Sequence, residues 1–289
     1  MKYNILGRTG FKVSAVTFGG MINREISVED SKRFVAEAVD IGVNYIDVAP
    51  SYGDAEVILS PALEPYRDKF YLACKTYERS AEDSKRELLN SLKVLKADYF
   101  DVYQFHAINQ FEDVDKIFAP GGAIETMLWA KREGLIRNIG FSTHNEDAAV
   151  KAMDMFDFDT VLFPMNWAMG VRMGWGDRIS DRVKETGAGL LAMKTLIHRR
   201  WRDGERRDIF PKSWCKPVYE EPLGVAGMKY GLYKGANTLI PPGDFTHFKF
   251  MVNHIDQCVE NPLTDAEWDL MRREADLVKD DLLFSNGRY

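Results

Sequence analysis

The stretch Asn44-Tyr45-Ile46-Asp47-Val48-Ala49-Pro50-Ser51-Tyr52-Gly53 carries the decisive reading of this chain. Residues 44–48 form a short run of the composition expected for a strand covered on both faces, and Pro50 and Gly53 punctuate the turn that follows. Working outward, the same pattern recurs. Candidate strands at Val13–Phe18, Asn44–Val48, Phe70–Lys75, Phe100–His106, Ile136–Ser142, Thr160–Pro164, Gly189–Lys194 and Asn237–Ile240 alternate with helical patterns. Repeated alternation of this kind makes βα units and a parallel sheet.

The helical patterns carry their own start signals. Ser27 with Asp30 and Ser80 with Asp83 have the spacing of capping boxes, and apolar stripes follow at Phe34, Ala38, Ile41 and at Leu88, Leu92, Leu95. Residues 1–13 read as a small hairpin around Gly7–Gly10, and Thr264 with Glu267 opens a helix after the eighth unit. Eight units in 289 residues favour a closed barrel over an open doubly wound sheet. The segment Gly19-Gly20-Met21-Ile22-Asn23 after the first strand lacks the GxGxxG spacing of a Rossmann dinucleotide site. The expected fold is therefore α/β: one domain over residues 1–289, a single (β/α)8 TIM barrel with an N-terminal β-hairpin and an extra C-terminal helix.

A hydrophobic content of 45% is ample for one large core. The net charge of -6 and pI near 5.5 argue against broad nucleic-acid binding, which needs a basic face. Cys74, Cys215 and Cys258 are odd in number and far apart, so neither a disulfide framework nor a CxxC metal site is expected. No stretch approaches the length of a membrane-spanning helix, and the opening MKYNILGRTG has no apolar run after Lys2. A cytoplasmic protein with no membrane partner is the expectation. Nothing in the sequence speaks to oligomeric state.

In a barrel, residues at the C-terminal ends of the strands converge on one mouth. Asp47 ends the second strand and Tyr52 lies in the loop beyond it; Lys75 ends the third and His106 the fourth. A lysine closing an apolar strand needs a counter-charge, because an ammonium is costly to desolvate. Singly, each residue has a bland reading: an ion pair, a loop tyrosine, a half-buried histidine. Together, on three successive strands, they point to chemistry.

The segments Asn44–Gly53, Leu72-Ala73-Cys74-Lys75-Thr76 and Val102-Tyr103-Gln104-Phe105-His106 resemble, in order, the three motifs that carry the catalytic tetrad of the aldo-keto reductase family. Residues 134–142 and Ile240-Pro241-Pro242-Gly243 extend the resemblance over nearly the whole chain. It implies an NAD(P)(H)-dependent oxidoreductase acting on a small carbonyl substrate: an aldehyde, a ketone or a sugar lactol. Tyr52 would supply the proton and Lys75 would favour its phenolate. Asp47 would hold Lys75, and His106 would orient the carbonyl.

The resemblance also implies a cofactor set of Gly20, Ser142, Thr143, Asn166, Met193, Lys194, Gly243, Asp244, Lys249 and Asn253, with NADP the expected cofactor. Five positions depart from the family pattern, among them Val252, which cannot accept the adenine amino group as the usual glutamate would. Phe163 stands where a carboxamide-binding glutamine is common, and Met193 where an aromatic ring usually stacks on nicotinamide. Gly243 and Asp244 replace a basic residue and a serine, which admits NAD. The Arg-rich stretch between Ile197 and Lys216 is either a fold-over phosphate clamp or a solvated loop paired with Asp203, Glu205 and Asp208. Trp167, Trp175, Trp201 and Trp214 are candidate pocket walls, and Tyr77 and Asn109 candidate polar contacts. Two rival functions stay open at this point: a Schiff-base aldolase using Lys75, and a cofactor-binding regulatory subunit resembling the reductase-like β subunits of potassium channels.

Overall fold

Strand composition and strand order together explain the architecture seen in a computed structural model that describes residues 1–218 and 220–284. Eight parallel strands make one sheet: β3 (Phe18–Gly19), β4 (Tyr45–Asp47), β5 (Tyr71–Thr76), β6 (Phe100–Phe105), β7 (Ile136–Ser142), β8 (Thr160–Pro164), β9 (Gly189–Met193) and β12 (Thr238–Ile240). Each pairs with the next in sequence, and the remaining gap between β3 and β12 is spanned by a parallel bridge from Val16 to Leu239. The result is a nearly closed (β/α)8 barrel, as the alternation of units implies.

Helices α1 (Val28–Ile41), α2 (Ala55–Leu63), α3 (Ala81–Leu95), α4 (Phe111–Phe118), α5 (Ala123–Arg132) and α6 (Glu146–Met155) follow the first five strands. α7 (Trp167–Met173), α8 (Asp177–Thr186), α9 (Leu223–Tyr233) and α10 (Phe245–Glu260) complete the ring. The expected caps form, with Ser27 Oγ accepting from Asp30 N–H and Ser80 Oγ from Asp83 N–H. Thr264 and Glu267 make a reciprocal capping box that opens the extra helix α11 (Asp265–Leu277). The apolar stripes turn inward: Ala38 and Leu88 are fully buried. Among the described residues, no helix is long and apolar enough to cross a membrane.

The first strand departs from expectation. Instead of one run from Val13 to Phe18, Lys12–Ser14 (β2) pairs antiparallel with Tyr3–Ile5 (β1) in the hairpin, and the barrel strand is only Phe18–Gly19. Side chains compete with the ladder here: Ser14 N–H donates to Asn44 Oδ1 and Ser14 Oγ to the Val16 carbonyl. The long Ile197–Lys216 connection also folds on itself, its ends pairing as β10 (Ile197–Arg199) and β11 (Lys216–Pro217).

One glycine fixes how closely the first barrel loop approaches the second. A Cβ on Gly20 would sit 2.7 Å from Val48 Cα and 2.8 Å from the Asp47 carbonyl oxygen, both backbone atoms that cannot swing aside. Gly20→Ala therefore forces apart the segment that carries Asp47. We expect it to cost about 1–3 kcal/mol, read as a fall in melting temperature, and to reduce activity as well. A variant with native stability and turnover would show that this approach is not a constraint.

Candidate active site

Three adjacent strands deliver the central charges. Lys75 is fully buried on β5, and its ammonium donates to Asp47 Oδ2 on β4 and to the Val48 carbonyl at 3.2 Å. The other carboxylate oxygen, Asp47 Oδ1, accepts from Gln104 Nε2 on β6 at 2.9 Å. Burial lowers the Lys75 pKa, but Asp47 and then Tyr52 more than offset it, and its pKa lies above the ordinary lysine value.

Tyr52 packs over this pair, its ring centroid 5.2 Å from Lys75 Nζ. Its ring meets that of His106 edge-on at 5.7 Å. Burial raises the Tyr52 pKa, and the Lys75 cation pulls it back only in part. The net shift is upward because desolvation is larger than the pull of Lys75. The phenol is therefore protonated at neutral pH. His106 is pushed down to about 3 by burial and by the nearby Lys75 and Arg79 cations, so its ring is neutral. Its Nδ1 lies 3.0 Å from Ser51 Oγ, and Arg79 holds the carbonyls of His106 and Ala107.

Three of these groups face a cavity of about 140 Å³ at the barrel mouth. Asp47, Tyr52 and His106 share its wall with Gly20, Ser142, Met193, Lys194 and Gly243 from the expected cofactor set. Lys212, Trp214 and Cys215 reach it from the long loop after β9. A Cβ on Gly243 would stand 3.0 Å from Lys212 Cβ, so this loop crosses directly over the start of α10. Asp244 lies at that helix start, and its Oδ2 is buried without a partner.

The other expected cofactor residues serve the scaffold or stand apart. Thr143 Oγ1 donates to the Ile108 carbonyl at 2.6 Å. Asn166 caps α7 through Met169 N–H and donates to the carbonyls of Lys194 and Ile197. Lys249 forms an ion pair with Glu37, and Asn253 is exposed.

Several arginines of the long loop are likewise engaged: Arg199 with Glu205, Arg202 with Asp281, Arg206 with Asp208. Of the four loop tryptophans, only Trp214 lines the cavity. Trp167 is wholly buried because it opens α7 and joins a side cluster of the core with Met271 and Ala275. Tyr77 packs edge-on against His106, whereas Asn109 Oδ1 accepts from His144 N–H at 2.8 Å. Sequence reasoning missed Gln104, Ser51 and His144. Ser51 sits next to Tyr52 and Gln104 two residues before His106, within the same motifs, and that closeness was the available signal.

Comparison with known proteins agrees with this fold. A model described as the aldo/keto reductase family matches residues 15–213. L-galactose dehydrogenase from Arabidopsis thaliana is 33% identical over 207 residues, covering 66% of this chain and 64% of that protein. Aldo-keto reductase YhdN from Bacillus subtilis is 30% identical over 175 residues, covering 54% and 50%. The chain thus spans between half and two thirds of the length of these relatives. An aldo-keto reductase from Bacillus halodurans, solved in its holo form, superposes with a TM-score of 0.72 over 100% of both chains at 22% identity and shares the fold. With the family model spanning more than half of its residues, this chain belongs to the aldo/keto reductase family of oxidoreductases.

Proposed function

We propose that this protein interconverts a carbonyl compound and its alcohol with a nicotinamide dinucleotide, using Tyr52 as the acid–base group. The observation that carries the reading is that Tyr52, Asp47 and His106 line one cavity while Lys75, buried behind them, pairs with Asp47 and lies against the Tyr52 ring. The residues fit such a cofactor. Met193 offers a polarizable face in the cavity, and the unpartnered Asp244 Oδ2 is an acceptor suited to a ribose hydroxyl. When bound, the reduced nicotinamide supplies a hydride to the carbonyl carbon.

The protein supplies the rest. In the tautomer protonated on Nε2, neutral His106 accepts the Ser51 hydroxyl at Nδ1, 3.0 Å away, and donates from Nε2 to the carbonyl oxygen. Tyr52 gives its proton to that oxygen as negative charge develops there, and the Lys75 cation stabilises the phenolate left behind. Asp47, anchored by Gln104, keeps Lys75 charged and in place. A Schiff-base role for Lys75 needs a neutral amine, and the Asp47 pairing opposes one.

Tyr52→Phe keeps the ring packing and removes the proton. Turnover should fall by about 100-fold or more while dinucleotide binding, followed by fluorescence quenching, survives. Retention of most activity would remove Tyr52 from this role. Because His106 is already neutral above about pH 3, its titration should place no inflection in the rate profile near the usual imidazole range.

The choice between NADP and NAD turns on the start of α10. Lys249, the basic residue expected to attract a 2′-phosphate, is neutralised by Glu37, and Asp244 presents a carboxyl instead of a hydroxyl. Lys212 adds positive charge nearby, since its cation acts on Asp244. These opposed influences support use of NADP(H) with weak discrimination against NAD(H). We expect kcat/KM for the two cofactors to lie within about tenfold, a difference of about 1.4 kcal/mol, and Asp244→Ser to shift the ratio toward NADPH. Strong NADPH selectivity unmoved by Asp244→Ser would place the phosphate elsewhere.

A further inference from the structure

On the far side of the long loop after β9 lies a second and larger cavity, of about 630 Å³, that none of the tetrad residues lines. The hairpin of that loop is the wall between the two. Ile197 and Cys215 face the tetrad cavity, while their neighbours His198 and Lys216 line the second one, because successive residues of a strand point to opposite faces. The outer walls are α11 and the turn that leads into α9, which bring Leu270, Pro222 and Leu223 to meet Trp201 and Ile209 of the loop. Ile209 is 66% exposed, so apolar surface is left open to solvent here.

The charges of this cavity do not balance. Its two permanent cations are already matched: Arg206 pairs with Asp208, and Lys216 with Glu205, which also takes the Arg199 guanidinium. Of the other glutamates that line it, Glu221 is held by His254. Glu220 is exposed and has no ion pair among the described residues. Glu274, on α11, faces His198, with Nε2 3.4 Å from Oε2 and no hydrogen bond between them. Burial lowers the His198 pKa by more than Glu274 restores it, so the ring is neutral at pH 7 and leaves that carboxylate uncompensated. Carboxylates beside open apolar surface match a molecule that carries positive charge on an apolar body. Burying the body is favourable in itself, and the charge meets one that the protein leaves unpaired.

We propose that this second cavity is a binding site for an amphipathic organic cation, an amine or guanidine on an aliphatic or aromatic body, and that its occupancy is passed through the shared hairpin to the tetrad cavity. A ligand packed on one face of a two-stranded hairpin holds the other face in register, and that loop places Ile197, Lys212 and Cys215 in the tetrad cavity. Amine and dinucleotide therefore favour the same ordered loop, and each tightens binding of the other. The coupling, unlike the site, rests on the dinucleotide reading above.

4-Phenylbutylamine, 4-phenylbutanol and 4-phenylbutyrate share one body and differ in charge. By titration calorimetry at low salt, the amine should bind the native protein about tenfold or more tighter than the alcohol, and the butyrate should not bind. Glu220→Gln and Glu274→Gln keep size and remove charge. Together they should bring the amine to within about twofold of the alcohol, with native melting temperature and turnover. With saturating amine, dinucleotide affinity followed by fluorescence quenching should rise about threefold or more in the native protein and stay unchanged in the double variant. Amine binding abolished by saturating dinucleotide would put the amine in the tetrad cavity and overturn the site. Equal binding of amine and alcohol, or amine affinity unmoved by the double substitution, would overturn it too. Amine binding that leaves dinucleotide affinity unchanged would overturn the coupling. A protein that binds the amine but no dinucleotide would sink the reductase reading and the coupling with it, while the site stands.

Discussion

A fully buried ammonium is the most demanding group in this barrel. Lys75 has no exposed surface, and taking such a charge out of water is tolerable only where an opposite charge and good hydrogen bonds meet it. Asp47 provides the charge, the Val48 carbonyl a second acceptor, and Gln104 holds the carboxylate from the far side. Strand pairing sets these positions: Asp47 aligns with Ala73 on β5, and Lys75 with Gln104 on β6. Gly20 lets the first loop close against the backbone of Asp47 and Val48.

The consequences run outward from the pair. Tyr52 packs on a cation that stays charged and that favours its phenolate, although burial opposes ionisation. The same cation helps keep His106 neutral, suiting the imidazole to donate a hydrogen bond without competing for a proton. One charge thereby sets the roles of two neighbours.

Much of this was legible in the sequence because it violated local expectation. An apolar strand ending in lysine, another in aspartate and a third in histidine are anomalies that only a shared mouth reconciles. The cap residues Ser27, Ser80 and Thr264 were legible for a simpler reason: their hydrogen bonds are made within their own turn. What failed to show depends on distant partners. Nothing local says that Gln104 reaches Asp47, that Asn166 is spent on the turn at Lys194, or that Lys249 finds Glu37. Trp167 looked like a pocket wall because it follows a strand, yet α11 packs over it and makes it core. The run Val13–Phe18 has strand composition throughout; Ser14 and Asn44 divide it through side-chain hydrogen bonds that composition does not encode.

The central claim is direct hydride transfer at the Tyr52–His106 face, and isotope transfer tests it without assuming a physiological substrate. Turnover of an aldehyde with nicotinamide dinucleotide deuterated at the transferring position of the ring should yield alcohol carrying one deuterium on the former carbonyl carbon, detected by mass spectrometry, and Tyr52→Phe should suppress its formation. Alcohol free of deuterium, or labelled product formed equally well by Tyr52→Phe, would contradict the account.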